Sequence, residues 1–592
     1  MRPSSGDSLQ RELPRPPKKK DMPMKYRLFA AGALLLVCGW LHAQPQDAEA
    51  KRPVLVYTDI VSGPNSGGEN NKGIYLSLFG KNFGSGGLGT RLRVYIGGAE
   101  VGDYRALGVA RGRHDIQQIT VQVGALGNPK PGMPLPIKVV VDGIASNDDL
   151  SFTVNPGRIL FVDNVKGDDR TAVPGDIRRP FRHAQTARLS EGAWGQAGPG
   201  DFIVLRGTGQ PWTDRGYQNY FLRTRDKSGS LPAGTPGTGP IGIMGYPGED
   251  VFIYAPYDAK LEEGGATGAI SAVNGLSFPG LGQWFTVTNL RVEGGGHDGA
   301  VNVQIHGDHW RVVNNELTAA TAVRNIDAKA GGIVGNGKGE VWLGNWIHDV
   351  YCGPAGGGPL QNHGIYIDGD GDYEIAYNVI ERIPGGSGFQ TYVNGSNGSD
   401  TTGNVSLHHN LIDGVGKHGI NLADGTRENV RIYNNVVRNT AQAGLRLNTM
   451  VLSNARVYNN TFYYTNLLRK PGYGALMNDW RLPLRALDLQ NNIFVPSPGT
   501  ELTGGTVGLS SLSGTIHRNF WHGDKPPVFD SYAQSGTLRF ADPDRDLHLR
   551  PGSWAIDAGS PAVATLVKND YDITTRRPQG LAYDIGAYEL QK

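Results

Sequence analysis

Short runs of alternating apolar and polar residues, separated by Gly, Pro and Asn, open the readable part of the chain. "IYLSLFG" (Ile74–Gly80), "LRVYIGG" (Leu92–Gly98), "ITVQVG" (Ile119–Gly124), "PIKVVVDG" (Pro136–Gly143) and "LSFTVNP" (Leu150–Pro156) all repeat with period two. That is the signature of half-buried strands joined by tight turns, and it predicts a small β-sandwich over residues 51–156. From Val287 onward the pattern changes from alternation within a run to repetition between runs. "VTNLRV", "VVNNEL", "WLGNWI", "IAYNVI", "LHHNLI", "IYNNVV", "VYNNTF", "LQNNIF" and "IHRNFW" each set an Asn in an apolar stretch. These are Asn289, Asn315, Asn345, Asn378, Asn410, Asn435, Asn460, Asn492 and Asn519, spaced 25 to 33 residues apart. A period of that size means a solenoid. Strand-length runs without helical periodicity make it a parallel β-helix, here over residues 157–540, with 541–592 as a C-terminal segment closing it. Stacked Asn amides at a coil corner bond to the turn backbone and to one another. Nine rungs at about 4.8 Å per strand make a rod about 40 Å long.

Between the Asn rungs lies a second recurring strand, usually opened by Gly: "AVNVQIHG" (Ala300–Gly307), "GGIVGNG" (Gly331–Gly337), "HGIYIDG" (His363–Gly369), "SGFQTYV" (Ser387–Val393), "HGINLADG" (His418–Gly425), "AGLRLNT" (Ala443–Thr449) and "YGALMND" (Tyr473–Asp479). Alternation turns Ile365, Ile367, Phe389, Thr391, Ile420, Leu422, Leu445 and Leu447 inward. One outward column then reads Gln304, Val334, Tyr366, Gln390, Asn421, Arg446, Asn478, and the next reads His306, Asn336, Asp368, Tyr392, Ala423, Asn448. His363, Lys417, His418 and Asp424 flank them. Exposed residues are polar in any protein. This set, however, is poor in Lys and Glu and rich in Tyr, Gln, Asn, Arg and His, which stack on sugar rings and bond several hydroxyls. A glycan groove is the expectation. "NGSNGSD" (Asn394–Asp400) is a loop beside it, suited to a substrate flap. His363 and His418, each preceding a strand Gly, are expected to stack as a corner pair. "DGDGDYE" is expected to turn the chain at Asp370, Asp372 and Glu374, with calcium held by Asp368, Asp370 and Asp372 as the alternative. Such a loop offers three or four carboxylates against the six to eight oxygens calcium takes.

Composition agrees with this and adds a compartment. Of 592 residues 86 are Gly and only 19% are charged, which suits many turns and few surface helices. Met24-Lys25-Tyr26-Arg27 followed by "LFAAGALLLVCGWLHA" (Leu28–Ala43) has the charge, short apolar core and Ala43-Gln44 cut of a secretory signal, although Leu41 is large for its position. Residues 1–43 are therefore assigned as a signal peptide with an extended, Pro- and Lys-rich start. The mature protein is expected to be secreted or periplasmic, without a membrane span. Val37, bulky where a small residue is wanted, argues against Cys38 as a lipidated cysteine. Cleavage removes eight basic and three acidic residues and turns the formal charge of +2 into −3, so no general basic surface addresses nucleic acid. Cys352 is then the remaining cysteine, and packing and backbone bonds must hold the fold without an internal disulfide. A polysaccharide-binding monomer is expected.

Two family resemblances follow from these motifs. "GPNSGG" (Gly63–Gly68), "LFGKNFG" (Leu78–Gly84) and "VYIGG" (Val94–Gly98) resemble the hallmark turns of IPT/TIG immunoglobulin-like domains, common as spacer or accessory modules in exported proteins. The Asn repeat, with "RILFVDNVKGDD" (Arg158–Asp169), "RPFRHAQTA" (Arg179–Ala187), "GPGDFIVLRG" (Gly198–Gly207), "IMGYPGEDVFI" (Ile243–Ile253), "DLHLRPGSWAIDAGSPA" (Asp546–Ala562) and "YDIGAYEL" (Tyr583–Leu590), resembles the pectate-lyase-like, right-handed parallel β-helix superfamily. That superfamily holds lyases, hydrolases, epimerases and binding proteins, so the resemblance implies architecture more than reaction.

The chemistry expected is β-elimination on a uronate-containing chain. The proton beside a carboxylate is weakly acidic, so a site must neutralise the carboxylate and supply a base. Arg446 is the best-placed outward cation. Lys417, His418 or Tyr392 serve as base, with His363 in the same group. Gln304, His306, Tyr366, Gln390, Asn421, Asn448 and Asp424 would bind sugar. Related lyases commonly use a Lys, Arg or His base, often with calcium, which is what the resemblance implies. A hydrolase needs converging carboxylates. Within the Asn repeat the Asn-Thr-Asp and Asp-Asp stretches of β-helix polygalacturonases and the Asp-Pro-His-Asp of alginate epimerases are absent; the Asp-Asp pairs of the chain, Asp148-Asp149 and Asp168-Asp169, precede it. A non-catalytic polysaccharide-binding or adhesin scaffold is the alternative from another class.

Overall fold

The computed structural model describes residues 52–590 apart from 128, 131, 189, 215–220, 225–233, 256–269, 272–281, 295–299, 320–329, 351–361, 393–400, 424, 449–450, 480–486, 506–513, 524 and 576. The signal-like segment with Cys38, the Asn394–Asp400 loop, Cys352 and Asp424 therefore lie outside the described residues.

The period-two runs form a β-sandwich. One sheet has the order Val54–Thr58, Tyr75–Lys81, Gln117–Gln122, Asp103–Val109, all antiparallel. The other runs Ser62–Gly63, Ser151–Val154, Pro134–Val141, Leu92–Ile96, Ala99–Glu100, with Ile144–Ala145 added beside Pro134–Val141. Leu76, Leu78, Val94, Ile96, Ile119, Val121, Ile137 and Val139 alternate inward and are buried between the sheets.

From Ile159 the chain winds into parallel coils that build a twenty-stranded and a ten-stranded sheet. A complete coil gives two strands to the large sheet and one to the small sheet, as in Ile420–Ala423, Val430–Tyr433 and Val436–Thr440. The bore is filled by inward side chains, among them Ile365, Ile367, Phe389, Ile420, Leu422, Leu445 and Leu447, all without solvent exposure. The glycine opening each first strand has a steric cause. A Cβ on Gly332, Gly364, Gly388 or Gly419 would stand 2.4, 2.3, 2.4 or 2.2 Å from the side chain of Ile347, Ile380, Ile412 or Val437 in the small sheet. The two sheets close on one another only because these positions lack a side chain.

The Asn repeat is a buried amide ladder. In every rung from Asn345 to Asn519 the side-chain oxygen accepts both the backbone N–H and the side-chain NH₂ of the preceding rung, at 2.8–3.1 Å. Asp530 ends the stack by accepting from Asn519 and from the Trp521 indole. The residue before each rung turns the corner in the left-handed region, which explains the frequent Asn-Asn pairs: Asn314, Asn434, Asn459 and Asn491 all have φ between 52° and 59°. Asn289 was expected to be a rung, but it is a corner residue (φ 59°), and Leu290 holds the rung position with its N–H on the Asn315 oxygen.

The sandwich lies against the second-strand face of the large sheet. Buried Asp59 accepts from the N–H groups of Ile60 and Ser77 and from Asn289 Nδ2, Arg311 donates to the Thr58 carbonyl, and Tyr57 stacks between Phe79 and Tyr377. Arg113 pairs with Asp115 and donates to the carbonyls of His409 and Tyr571, so it touches sandwich, coil and C-terminal segment together. That last segment runs along the flank: Phe540, Leu547, Leu549 and Ile585 cover Val436, Tyr463, Ile493 and Val495 of the small sheet.

Candidate functional site

The expected outward column is in register over six coils: Gln304, Val334, Tyr366, Gln390, Asn421 and Arg446 pair in sequence. It then departs from the expectation by one residue. Met477 is opposite Arg446, and Asn478 is fully buried, because a one-residue slip in a strand exchanges its two faces. In the second column Tyr392 follows Ile367 through a 2.7 Å backbone bond, and Ala423 pairs with Asn448. Only the backbone of Gln304, His306, Asp368 and Asp370 is described; their side chains lie outside the described residues.

The "DGDGDYE" stretch does not turn the chain. His363–Ala376 is one fourteen-residue strand, irregular in register between Gly335 and Glu340 of its neighbour, so it serves both strand positions of its coil. Asp372 Oδ1 accepts from the backbone and side chain of Asn404, and Glu374 faces His408 at 3.5 Å, on the sandwich side. The residues after Gly369 are thereby carried off the groove. Among the described residues no three His, Cys, Asp or Glu side chains form a cation cage.

One side of this outward column is built from the turns that lead from the small sheet into the first strands. They place His363, Ser387, Lys417–His418 and Tyr473 beside Tyr366, Gln390, Asn421 and Arg446. His363 and His418 do not form the expected corner pair, because Ser387 intervenes: its N–H donates to His363 Nδ1 at 3.1 Å, and the next N–H, of Gly388, donates to the His418 carbonyl. Each histidine stacks on a tyrosine instead, His363 on Tyr366 (5.2 Å, 20°) and His418 on Tyr473 (5.9 Å, 10°). Tyr366 in turn stacks toward Tyr392 at 6.4 Å. On the floor Asn421 Nδ2 donates to Gln390 Oε1 at 2.9 Å. Past the ends of these first strands lies a three-stranded ribbon, Thr401–Thr402, Thr426–Glu428 and Val451–Ser453. It is tied in by buried Arg427, which donates to Thr391 Oγ1 and the Ala423 carbonyl.

The electrostatics of this edge favour neutral histidines beside a fixed cation. Arg446 is held by Asp479 through Nε (2.7 Å) and Nη2 (2.6 Å). Burial, then the Arg446 charge, pulls the Lys417 amine below the usual lysine range. Burial, then the Lys417 charge, pushes His363 down to about 3, and the Ser387 N–H on Nδ1 suits the neutral ring. Burial, followed by Arg446, Lys417, Lys470 and His363, drives His418 well below the ordinary histidine value. Both histidines are neutral at physiological pH. Two buried polar atoms here have no hydrogen-bond partner among the described residues, His418 Nδ1 and Asn421 Oδ1, and each such group calls for an explanation. Asn448 is half-buried at the second column's end. Tyr473, Lys470, Asp479 and Ser387 join this site without having been singled out as site residues. Tyr473 and Asp479 bracket the recognisable "YGALMND" strand, while Lys470 lies in a turn with no motif.

Residues 331–519 match a family model described as a right handed beta helix region. The match spans the coils from Gly331 to Asn519 and therefore every described member of the cluster. No curated protein and no solved structure matches the chain. The all-β reading, a right-handed parallel β-helix preceded by a sandwich, holds, and the fold supports a polysaccharide-related role. No helix among the described residues is long and apolar enough to cross a membrane.

Proposed function

We propose that the protein is an exported polysaccharide lyase that cleaves a uronate-containing chain by β-elimination in the groove of the first strand column. The observation carrying this is Lys417: a half-buried amine held below its ordinary pKa, beside an arginine fixed by Asp479. Arg446 faces the substrate carboxylate and draws off charge as the adjacent C–H is deprotonated. Lys417, in its deprotonated form, takes that proton. The electron pair forms a carbon–carbon double bond to the neighbouring carbon, the glycosidic C–O bond there breaks, and the departing oxygen takes a proton from Tyr392 or from Lys417 itself. Tyr366, Gln390 and Asn421 bind the sugar ring and hydroxyls, and His363, neutral and anchored by Ser387, holds Tyr366 in place. A hydrolase would need two carboxylates free to act. Among the described side chains of this cluster Asp479 is the carboxylate present, and Arg446 occupies it. The IPT/TIG-like sandwich is read as an accessory module that braces the coils.

The test is incubation of the mature protein with a panel of uronate polysaccharides, following ultraviolet absorbance of the unsaturated product. New reducing ends without that absorbance would replace the lyase by a hydrolase. Retained binding with no product from any polymer would make the groove a non-catalytic scaffold. Calcium at Asp368 and Asp370 is tested in the same assay: chelator abolishes activity and calcium restores it if the ion is used, and full activity after chelation removes it from the scheme.

A further inference from the structure

The turn that carries Tyr473 differs from its neighbours. Eight residues separate Thr461–Thr465 from Gly474–Asn478, whereas four or five join the equivalent strands in the adjacent coils. The extra length is pinned rather than loose. Asn466 Nδ2 donates to the carbonyls of Lys470 (3.1 Å) and Tyr473 (2.7 Å), and its Oδ1 accepts the Lys470 N–H at 3.0 Å. Leu467 and Leu468 bond back onto Thr440 and Ala441 of the preceding coil. At the tip Lys470 Nζ lies 4.4 Å above the Tyr473 ring and donates to its hydroxyl at 3.0 Å, while the same ring stacks on His418, the neighbour of Lys417.

Lys470 is exposed and has no carboxylate partner among the described residues, in contrast to Lys72, Lys81 and Lys138. A solvated lysine usually sweeps many rotamers and loses that freedom on binding. Here cation–π contact and a hydroxyl acceptor have already fixed the ammonium, over a ring that stacks on the sequence neighbour of the proposed base.

We propose that Lys470 on Tyr473 is a second anion-binding subsite, which takes the carboxylate of the sugar next to the one held at Arg446. This rests on reading the groove as a uronate-binding site. It makes the preferred substrate a run of consecutive uronates rather than uronates alternating with neutral sugars.

The experiment uses the full mature protein and its Lys470→Gln and Tyr473→Phe variants, titrated calorimetrically with galacturonate, mannuronate and guluronate hexamers, the alternating glucuronate–N-acetylglucosamine hexamer, and a neutral glucose hexamer. Binding is read independently of turnover, so absence of lyase product leaves the subsite testable. The Lys470→Gln change is expected to raise Kd for the best consecutive-uronate hexamer about threefold to fivefold, the scale of one exposed ion pair. The same change leaves the alternating hexamer within about twofold and flattens the salt dependence of uronate binding. Tyr473→Phe, which keeps the ring but frees the ammonium, is expected to give a smaller loss in the same direction. Unchanged uronate affinity in Lys470→Gln overturns the subsite, as does equal weakening of consecutive and alternating hexamers. If no acidic hexamer binds the unmodified protein better than the neutral one, the groove reading itself fails and takes the subsite with it.

Discussion

Replacing Asn410 tests whether the ladder stabilises the fold through its hydrogen bonds or merely occupies a corner. Asn410 Oδ1 accepts the Asn378 backbone N–H and side chain, both at 3.0 Å. Its Nδ2 donates to Ile375 O (2.9 Å), His408 O (3.0 Å) and Asn435 Oδ1 (3.0 Å). All of this is shielded from water. In Asn410→Leu the Asn378 N–H is left without an acceptor, at about 1–3 kcal/mol, and the remaining bonds are worth about 1 kcal/mol each in net terms. A loss of about 3–5 kcal/mol is expected, independent of pH. Asn410→Asp keeps the shape and the accepting oxygen but points a second oxygen at three acceptors. Only the protonated acid is tolerated there, so its folded pKa is raised above the unfolded value near 3.9. The folded state then binds the extra proton, and stability relative to the parent falls as pH rises, by about 1.4 kcal/mol per unit above about pH 4. The assay is urea unfolding followed by tryptophan fluorescence at pH 4.5 and 7.5, each variant against the parent at the same pH, with hydrogen exchange of peptides containing Asn378. An Asn410→Asp protein as stable as the parent at pH 7.5, or an Asn410→Leu loss under 1 kcal/mol, would refute the reasoning.

Four further outcomes are expected. Lys417→Met should lower turnover on the responsive polysaccharide about 10²- to 10⁴-fold with little change in KM, and a loss under tenfold would remove Lys417 as the base. Because the base acts neutral and its pKa is lowered, the rising limb of the parent's pH–rate profile should lie below the usual lysine range. Asp479→Asn leaves Arg446 uncompensated and should move that limb to lower pH while reducing the rate; an unmoved limb would detach Arg446 from Lys417. Gly388→Ala drives a methyl to 2.4 Å from Ile412 and should cost about 1–3 kcal/mol in the same urea assay. His548 sits between Asp546 and Asp572 (2.6 Å). Burial opposes its charge, but the bond and charge of Asp572, then of Asp546, outweigh it and push it up to about 9. Its contribution is full below about pH 6.5 and lost as pH climbs through 9. Limited proteolysis should therefore open residues 540–590 more readily at pH 10 than at pH 6, and His548→Gln should abolish the difference.

The boundary between legible and illegible features follows range of interaction. Alternation and a 25- to 33-residue period depend on which residues must avoid water, so the sandwich, the coils, the inward face from Ile365 to Leu447 and the ladder from Asn315 to Asn519 could be read from the chain. The ladder's single misplacement, Asn289 for Leu290, arose because corner and rung positions both favour Asn, one for a positive φ and the other for its amide. The run "DGDGDYE" misled for a related reason: Asp and Gly favour turns locally, but bonds to both neighbouring coils hold His363–Ala376 extended. Asn478 was assigned to the wrong face because the eight-residue turn before Gly474 resets the register, and turn length is invisible to a period-two count.

The sequence by itself determined the architecture and nominated Tyr366, Gln390, Asn421, Lys417, His418 and Arg446, since strand periodicity assigns each side chain a face. Only the tertiary structure decided how those residues act. It separated His363 from His418 by Ser387, gave each a tyrosine to stack on, fixed Arg446 with Asp479 from the next coil, and brought Lys470 over Tyr473. Lys417 acquires a lowered pKa only because burial and the Arg446 charge meet at one point, and both belong to coils stacked in space rather than to neighbours in sequence.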